Sequence, residues 1–304
     1  MRETLEHLET VINRPGVTDV VIGPTGAWLD QGVGFSRISD WRFGEREHRQ
    51  LASELIDRGG RHIDVASPFA DVRLDDGLRV HAVVPPASVG GTVISIRVPM
   101  DDPPQLERLI ELGLLTAAES ADVAARARDG RSFLIAGATG TGKSTLAAAI
   151  LASLPDHLRI VTIEDVAEWR IDHPHVVSLQ TRQPNIEGAG EIGLAQLIRQ
   201  TLRMRPDRIA VGEIRGAEII DVMVAHGSGH AGGSTVHAGS LSHVPARLES
   251  LGALAKMSRD ELALQAVSAF DDVYFLGRTT AGRRLTERAT LAVSANGRLC
   301  LSEL

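Results

Sequence analysis

The chain has 304 residues, of which 43% are apolar and 23% are charged, with a mean hydropathy of +0.00. This composition supplies enough apolar residues for one large or two modest cores, and it excludes the disordered and fibrous classes. The formal net charge of -7 opposes strong non-specific attraction to a phosphate backbone, so nucleic acid is a poor expected partner.

The sequence carries no sign of export or membrane insertion. The N-terminus has no apolar segment of the kind found in secretion signals, and no stretch approaches the roughly 18 apolar residues of a spanning helix. The single cysteine, Cys300, excludes a disulfide framework and a cysteine-based metal site. We therefore expect a cytoplasmic protein that reaches the membrane only through partners.

The first hundred residues predict a small α+β domain. An apolar segment at 17–22 predicts a strand, and leucines and isoleucine at helical spacing predict a helix over 44–58. The proline-rich segment 99–104 predicts an irregular linker, because proline removes a backbone donor and keeps the preceding residue extended. These features predict two domains, residues 1–101 and residues 102–304.

The sequence around Gly77 has the pattern of a β-hairpin. A three-residue loop with Gly77 in the left-handed conformation pairs Leu74 with Leu78. The same register pairs Arg73 with Arg79, and two arginines directly opposite each other repel unless an anion or water separates them. Arg73 and Arg79 are therefore candidate phosphate contacts, and a solvated sheet edge with splayed side chains is the alternative.

After the linker, helical and strand patterns alternate along the chain. This alternation predicts a doubly wound α/β domain. The predicted elements are helices over 105–128 and 142–154 and strands over 132–136, 160–163, 176–179 and 208–211.

A complete G-x-x-x-x-G-K-[ST] motif follows the first of these strands and precedes an Ala/Leu-rich helix. In such a motif the glycines let backbone N–H groups wrap phosphates, Lys143 reaches the β and γ phosphates, and Ser144 binds Mg²⁺. A coincidental glycine-rich turn is the alternative. The predicted nucleotide-binding residues are Gly137, Ala138, Thr139, Gly140, Thr141, Gly142, Lys143, Ser144 and Thr145, together with Arg73 and Arg79.

Acidic residues at strand ends supply the other groups that a nucleoside triphosphatase needs, to hold the metal and to position water. Glu213 ends one strand, with Gly212 where a Walker B aspartate usually stands, so Glu213 is expected to position the water. Glu164 and Asp165 end another strand, and a parallel sheet brings them to the edge that carries the P-loop. They could serve the water or the metal, with helix capping as the alternative. The predicted metal ligands are Ser144, Glu164 and Glu213.

Two histidines, His230 and His237, lie in a glycine-rich segment. Such a pair is more often structural than catalytic, and no third ligand at suitable spacing supports a metal site. Beside a nucleotide, however, His237 at a strand end could donate to a γ-phosphate. The predicted catalytic residues are Glu213, Glu164, Lys143 and His237.

Together these residues resemble the ATPases of the type II/type IV secretion superfamily, and most closely the Tad/Flp pilus branch. The segment 181–191 is similar to that branch's R-P-x-N-x-E-G-x-G-E pattern, with Gln183 where proline is usual. The segment 202–216 is similar to its atypical Walker B motif, including the glycine before the glutamate. The segments 162–165 and 235–238 resemble the Asp box and the His box.

The resemblance implies a RecA-like P-loop ATPase domain that follows a smaller α+β, PAS-like domain. It implies ATP and Mg²⁺ as ligands, and a hexameric ring in which Arg73 and Arg79 act as trans or interdomain fingers on the triphosphate. It also implies a motor for pilus assembly or protein secretion, bound to a platform protein at the inner face of the cytoplasmic membrane. The alternatives are a DNA-transferring conjugative ATPase and a nucleotide-gated switch that does not hydrolyse ATP.

Overall fold

A computed structural model describes residues 2–32, 34–74, 77–99, 103–182, 190–280 and 282–303. The chain divides into two compact units, residues 1–101 and residues 102–304. Each unit has its own apolar core.

The first unit is an antiparallel sheet with helices packed on one face. Within the described residues the sheet has six strands in the order β3-β2-β1-β6-β5-β4. Buried and more exposed residues alternate along β4, β5 and β6, so that one face of the sheet joins the core. The elements are α1 (Arg2–Ile12), β1 (Asp19–Gly23), β2 (Gly26–Asp30), β3 (Phe35–Arg37), α2 (Glu45–Arg58), β4 (Phe69–Arg73), β5 (Arg79–Val83) and β6 (Val93–Arg97).

The hairpin between β4 and β5 has the predicted register. Arg73 lies opposite Arg79, and the backbone N–H of Leu74 donates to the carbonyl of Leu78 at 2.9 Å. Gly77 has a φ of 87°, in the left-handed region that glycine adopts at little cost. The pairing of the two arginines and the left-handed conformation of Gly77 are therefore confirmed, whereas residues 75 and 76 of the predicted loop lie outside the described residues.

The second unit is built on a mixed sheet. Among the described residues the strand order is β14-β13-β12-β7-β11-β10-β8-β9, parallel from β12 to β9 and antiparallel from β12 to β14. Its elements are α3 (Leu106–Glu111), α4 (Ala117–Arg128), β7 (Phe133–Gly137), α5 (Lys143–Ala152), β8 (Ile160–Glu164), β9 (Val176–Gln180), α6 (Leu194–Thr201), β10 (Arg208–Val211), α7 (Ile219–Gly227), β11 (Gly232–His237), a 3-10 helix (Leu241–His243), α8 (Val244–Leu254), α9 (Arg259–Ala269), β12 (Asp272–Thr279), β13 (Gly282–Val293) and β14 (Leu299–Glu303).

Both faces of this sheet are covered, as the predicted doubly wound arrangement requires. Every residue of β7 and β8 is buried, which explains why β7 is apolar throughout and why β8 is apolar except for Thr162 and Glu164. Leu134 packs with residues of α6 to α9 on one face, whereas Ile135 packs with residues of α3 to α5 on the other.

The prediction of one helix over 105–128 is wrong, because the chain forms α3 and α4 with a break between them. Gly113 has a φ of 72° just after α3, a conformation that ends a helix. Thr116 then starts α4 with a capping box: its hydroxyl accepts from the N–H of Glu119 at 3.2 Å, and its own N–H donates to the Glu119 carboxylate at 2.7 Å. The T-x-x-E pattern at 116–119 was the sequence signal for this second start.

No helix in the described part of the chain is both long enough and apolar enough to cross a membrane.

A charged cluster is buried where β12 begins. The Asp272 side chain is only 1% exposed, and it accepts hydrogen bonds from Arg126 Nη1 at 3.0 Å and from Arg131 Nε and Nη2 at 3.0 and 2.9 Å. The hydroxyl of Tyr274 also donates to this carboxylate at 3.4 Å. The hydrogen bond to Asp272 is the main cause that raises the pKa of Arg131. The carboxylate of Asp272, at the start of β12, therefore binds both α4 and the segment that leads from α4 into β7.

His226, on α7, makes the stability of the second unit depend on pH. The residue is 5% exposed, its ring lies 5.6 Å from that of Phe270, and neither ring nitrogen has a hydrogen-bond partner among the described residues. Burial, with a smaller contribution from His230, lowers the pKa of His226 from 6.5 to about 4. The unfolded chain therefore binds a proton at a pH where the folded chain does not.

We expect this histidine to weaken the fold in acid. The stability it contributes is complete above the unfolded pKa and is lost as the pH falls toward the folded pKa, a loss of about 3 kcal/mol. Urea unfolding of His226→Leu, at about pH 7 and about pH 4.5, should show a smaller loss of unfolding free energy than the wild type. The exposed His157, replaced by leucine, is the control and should retain the wild-type dependence. An unchanged dependence in His226→Leu would refute the assignment.

Candidate active site

The P-loop joins the end of β7 to the start of α5. Gly140 and Gly142 have φ values of 71° and 99°, so the loop uses a left-handed conformation at two of its glycines. Lys143 is only 7% exposed, and its Nζ donates to the carbonyl oxygens of Gly137 at 3.1 Å and Ala138 at 3.0 Å. Burial is the main cause that lowers the pKa of this lysine.

The start of α5 fits an anionic ligand. Gly142 precedes the helix without a capping side chain, and no acidic residue lies in the first turn. The first N–H groups of a helix have no partner within the helix, and they attract phosphate through the helix dipole. Ser144 and Thr145 lie in this first turn, with partly exposed side chains. The geometry therefore suits the β and γ phosphates of a nucleotide.

The strand order brings the predicted acids and His237 to the edge of the sheet that carries the P-loop. β7, β11, β10 and β8 are consecutive parallel neighbours, so their carboxyl ends meet at one edge. Glu164 ends β8, Glu213 follows β10 by two residues, and His237 ends β11 opposite Gly137. His230 lies before β11 begins, apart from this edge.

A chain of contacts links Lys143 to Glu213 through His237. The Nζ of Lys143 lies 3.3 Å from Nδ1 of His237, and Nε2 of His237 lies 3.0 Å from Oε1 of Glu213. An ammonium group can only donate, so Nδ1 accepts and the ring proton lies on Nε2, which donates to Glu213. Burial, followed by the positive charge of Lys143, lowers the pKa of His237, while Glu213 raises it. The ring is therefore neutral near pH 7.

Arg215 holds the other side of Glu213. Its Nη2 donates to Oε2 of Glu213 at 2.7 Å, and its Nη1 donates to Oδ2 of Asp165 at 3.2 Å. The hydrogen bond to Glu213 is the main cause that raises the pKa of Arg215. Sequence reasoning missed this arginine as a site residue, although its position two residues after the strand-end glutamate was a signal. With His237, it fixes both oxygens of the Glu213 carboxylate.

Glu164 has a different environment. It is 3% exposed, and its carboxylate accepts hydrogen bonds from the backbone N–H groups of Glu168 at 2.9 Å and Trp169 at 3.2 Å. Its side chain also crosses Gly212, where an added Cβ would lie 2.9 Å from Cγ of Glu164. Gly212, which stands where a Walker B aspartate is usual, has no side chain and therefore leaves room for the side chain of Glu164.

The predicted magnesium ligands have suitable chemistry, because hydroxyl and carboxylate oxygens are the donors that Mg²⁺ prefers. No group of three or more His, Cys, Asp or Glu side chains within the described ranges is arranged to hold a metal ion. Ser144, Glu164 and Glu213 therefore fit a Mg²⁺ site only if the phosphates of the nucleotide and water complete the shell, as is usual for this ion.

The arginines of the first unit lie on the solvent face of its sheet. Arg79 pairs with Arg73 on one side and with Arg97 on the other, which places three arginines side by side across β4, β5 and β6. Arg97 also forms an ion pair with Asp19 at 3.3 Å. Sequence reasoning missed Arg97, because strand order decides that it adjoins Arg79.

Most of the R-P-x-N-x-E-G-x-G-E segment, residues 183–189 with Gln183, lies outside the described residues. At its two ends, Arg182 Nε donates to the carbonyl of Gly190 at 2.6 Å, and the backbones of Arg182 and Ile192 pair.

The fold and this edge of the sheet define a P-loop nucleotide-binding protein with a RecA-like domain. Residues 42–273 match the sequence profile of the family described as type II/IV secretion system protein. The chain belongs to this family, which confirms the superfamily expected from its motifs.

Relatives of known sequence cover most of the chain. A putative conjugal transfer protein of Mycobacterium tuberculosis is 41% identical over 96% of this chain and 85% of its own length. A type IV secretion system protein PtlH homolog of Bordetella bronchiseptica is 31% identical over 80% of this chain and 79% of its own. The X-ray structure of the Legionella pneumophila ATPase DotB has a TM-score of 0.61 and 22% identity, over 99% of this chain and 78% of that chain. This last likeness concerns the fold.

Proposed function

We propose that this protein is an ATP-hydrolysing motor that drives pilus assembly or protein secretion. The observation that carries the proposal is the contact chain from Lys143 through His237 to Glu213, in a chain of the type II/IV secretion family. The resemblance of its motifs to the Tad/Flp branch supports the pilus assignment. We further propose the hexameric ring, the platform partner and the position at the inner face of the cytoplasmic membrane.

Lys143 and the N–H groups of the P-loop hold the β and γ phosphates, and Lys143 exchanges its carbonyl contacts for phosphate oxygens. Glu213 orients the attacking water and accepts its proton. We propose Glu213 rather than Glu164 as the base, because the Glu213 side chain is 16% exposed and can meet a water molecule, whereas Glu164 is only 3% exposed and its carboxylate is held by backbone N–H groups. Ser144 would help to hold Mg²⁺, which would neutralise part of the phosphate charge.

His237 couples the lysine to the base. When Lys143 turns to the phosphates, Nδ1 of His237 loses its donor while Nε2 keeps its contact with Glu213. In this way the binding of the γ-phosphate to Lys143 changes the hydrogen bonding of His237, and His237 transmits that change to Glu213. Arg73 and Arg79 are proposed to contribute positive charge to the triphosphate from the first domain of the same or a neighbouring subunit.

The first test is the steady-state ATPase rate per subunit, measured with Mg²⁺ over a range of protein concentrations. We expect the rate per subunit to rise with concentration as rings form, and to fall about 100-fold or more in Lys143→Gln. The chain has one other lysine, the exposed Lys256, and Lys256→Gln is a matched control that should retain the wild-type rate.

Two other outcomes would change the assignment. A rate near zero in assembled rings that still bind ATP would favour the nucleotide-gated switch. The 41% identical relative described as a putative conjugal transfer protein favours DNA transfer as a second candidate function. Tight DNA binding at physiological salt, with stimulation of the ATPase, would support that candidate, although the net charge of -7 opposes it.

A further inference from the structure

The hairpin formed by β12 and β13 carries arginines that the proposed mechanism does not use. Arg278 lies near the end of β12, directly opposite Arg283 on β13, and Arg284 follows. Within the described residues, none of these three arginines forms an ion pair with a carboxylate. Like charges directly opposite each other repel unless an anion or water separates them, so Arg278 and Arg283 are candidate contacts for an anion.

The end of β12 lies against the P-loop. Leu276 pairs with Gly137, and a Cβ atom added to Gly137 would lie 2.5 Å from the carbonyl oxygen of Leu276. A Cβ atom added to Gly140 would lie 3.4 Å from Nη2 of Arg278. The strand therefore pairs with the P-loop at Gly137, and the guanidinium group of Arg278 lies beside Gly140.

The hairpin presents its arginines on two faces. Leu276 pairs with Leu285, and both are buried among residues that include Leu146 of the P-loop helix. Alternation places Arg278 and Arg283 on this same face of the hairpin, whereas Arg284 is exposed on the opposite face. Substitution of Arg284 therefore removes one positive charge from the same hairpin without touching the face that carries Arg278, and it serves as the control.

The strand order also tells which end of a nucleotide would meet Arg278. β7 has β11 on one side and β12 on the other. His237 and Glu213 lie on the β11 side, so the terminal phosphate faces that side if Glu213 is the base. The other end of the ligand then extends toward β12.

We propose that Arg278 binds the nucleoside diphosphate part of the ligand, the part shared by ATP and ADP. The inference rests on the proposed function of the P-loop. A guanidinium group suits this role, since its planar donors match phosphate oxygens and its charge persists at every physiological pH. Arg278 is in this view a binding residue that holds the nucleotide before and after hydrolysis.

The test compares ADP with a non-hydrolysable ATP analogue by isothermal titration calorimetry of the full chain with Mg²⁺. We expect Arg278→Ala to raise the Kd of both ligands by a similar factor of about ten, and Arg278→Lys to raise it less. Kinetically the loss should appear in the KM for ATP rather than in kcat. Arg284→Ala should bind both ligands as the wild type does.

Equal affinity of Arg278→Ala and wild type for both ligands would overturn the inference. Weaker binding of the ATP analogue alone would also overturn it, because the arginine would then contact the terminal phosphate. A wild-type chain that binds neither ligand would instead refute the proposed function itself. Circular dichroism of Arg278→Ala separates loss of binding from loss of folding.

Discussion

Glu213→Gln should bind ATP with near wild-type affinity and lose turnover by a factor of about 10² to 10⁴, the range of a general base. The glutamine oxygen can still accept from Arg215 or His237, which fix the carboxylate at 2.7 and 3.0 Å. An amide cannot take the proton of the attacking water. Single-turnover ATP hydrolysis and a nucleotide-binding titration on the same preparation measure the two effects separately.

The exposed carboxylate of Glu287, on β13, provides the control, and Glu287→Gln should hydrolyse ATP at the wild-type rate. Normal turnover in Glu213→Gln would contradict the assignment of this residue as the base. If Glu164→Gln were inactive instead, with its fold intact, the base would be Glu164.

Asp272→Ala should destabilise the second unit by about 3 kcal/mol, because it removes the carboxylate that pairs with two arginines. Breaking a buried pair costs about 3–5 kcal/mol, and we expect the lower end since the arginines retain contact with water. Their side chains are 27% and 37% exposed. Urea unfolding of the variant and the wild type at neutral pH measures the difference.

Asp156→Ala removes an exposed carboxylate of the same unit and should change the unfolding free energy by no more than about 0.5 kcal/mol. A similarly small change in Asp272→Ala would mean that the two arginines find other partners or are solvated at no cost. The network would then carry little of the stability of the fold.

The sequence predicted the parts of the site that depend on local pattern. The P-loop is contiguous, and its flanking strand and helix are readable as hydrophobic runs. Glu164, Glu213 and His237 were each expected at a strand end, and the rule that parallel strands share a carboxyl edge predicted that Glu164 and Asp165 would lie near the P-loop. The register of the Arg73/Arg79 hairpin followed from alternation and one glycine.

What could not be predicted depends on contacts between distant segments. The clamp of Arg215 on Glu213 and Asp165 requires β8 and β10 to be neighbours. The pairing of β12 with β7, which brings Arg278 to Gly140, has no local signature in the sequence. The two helices in place of one arose from a capping pattern at Thr116 that a reading by hydrophobic periodicity overlooks.

The residues that would perform the chemistry sit at the ends of strands that are hydrogen bonded in one continuous parallel array, from β12 through β7, β11, β10 and β8. Such an array is stiff along the strands and resists shear, since sliding one strand breaks several backbone bonds at once. A motor must transmit force to its substrate without distorting the active site in which ATP is hydrolysed. In the proposed motor, the hydrogen-bonded array would keep the strand ends that carry Glu213 and His237 at fixed positions relative to the P-loop.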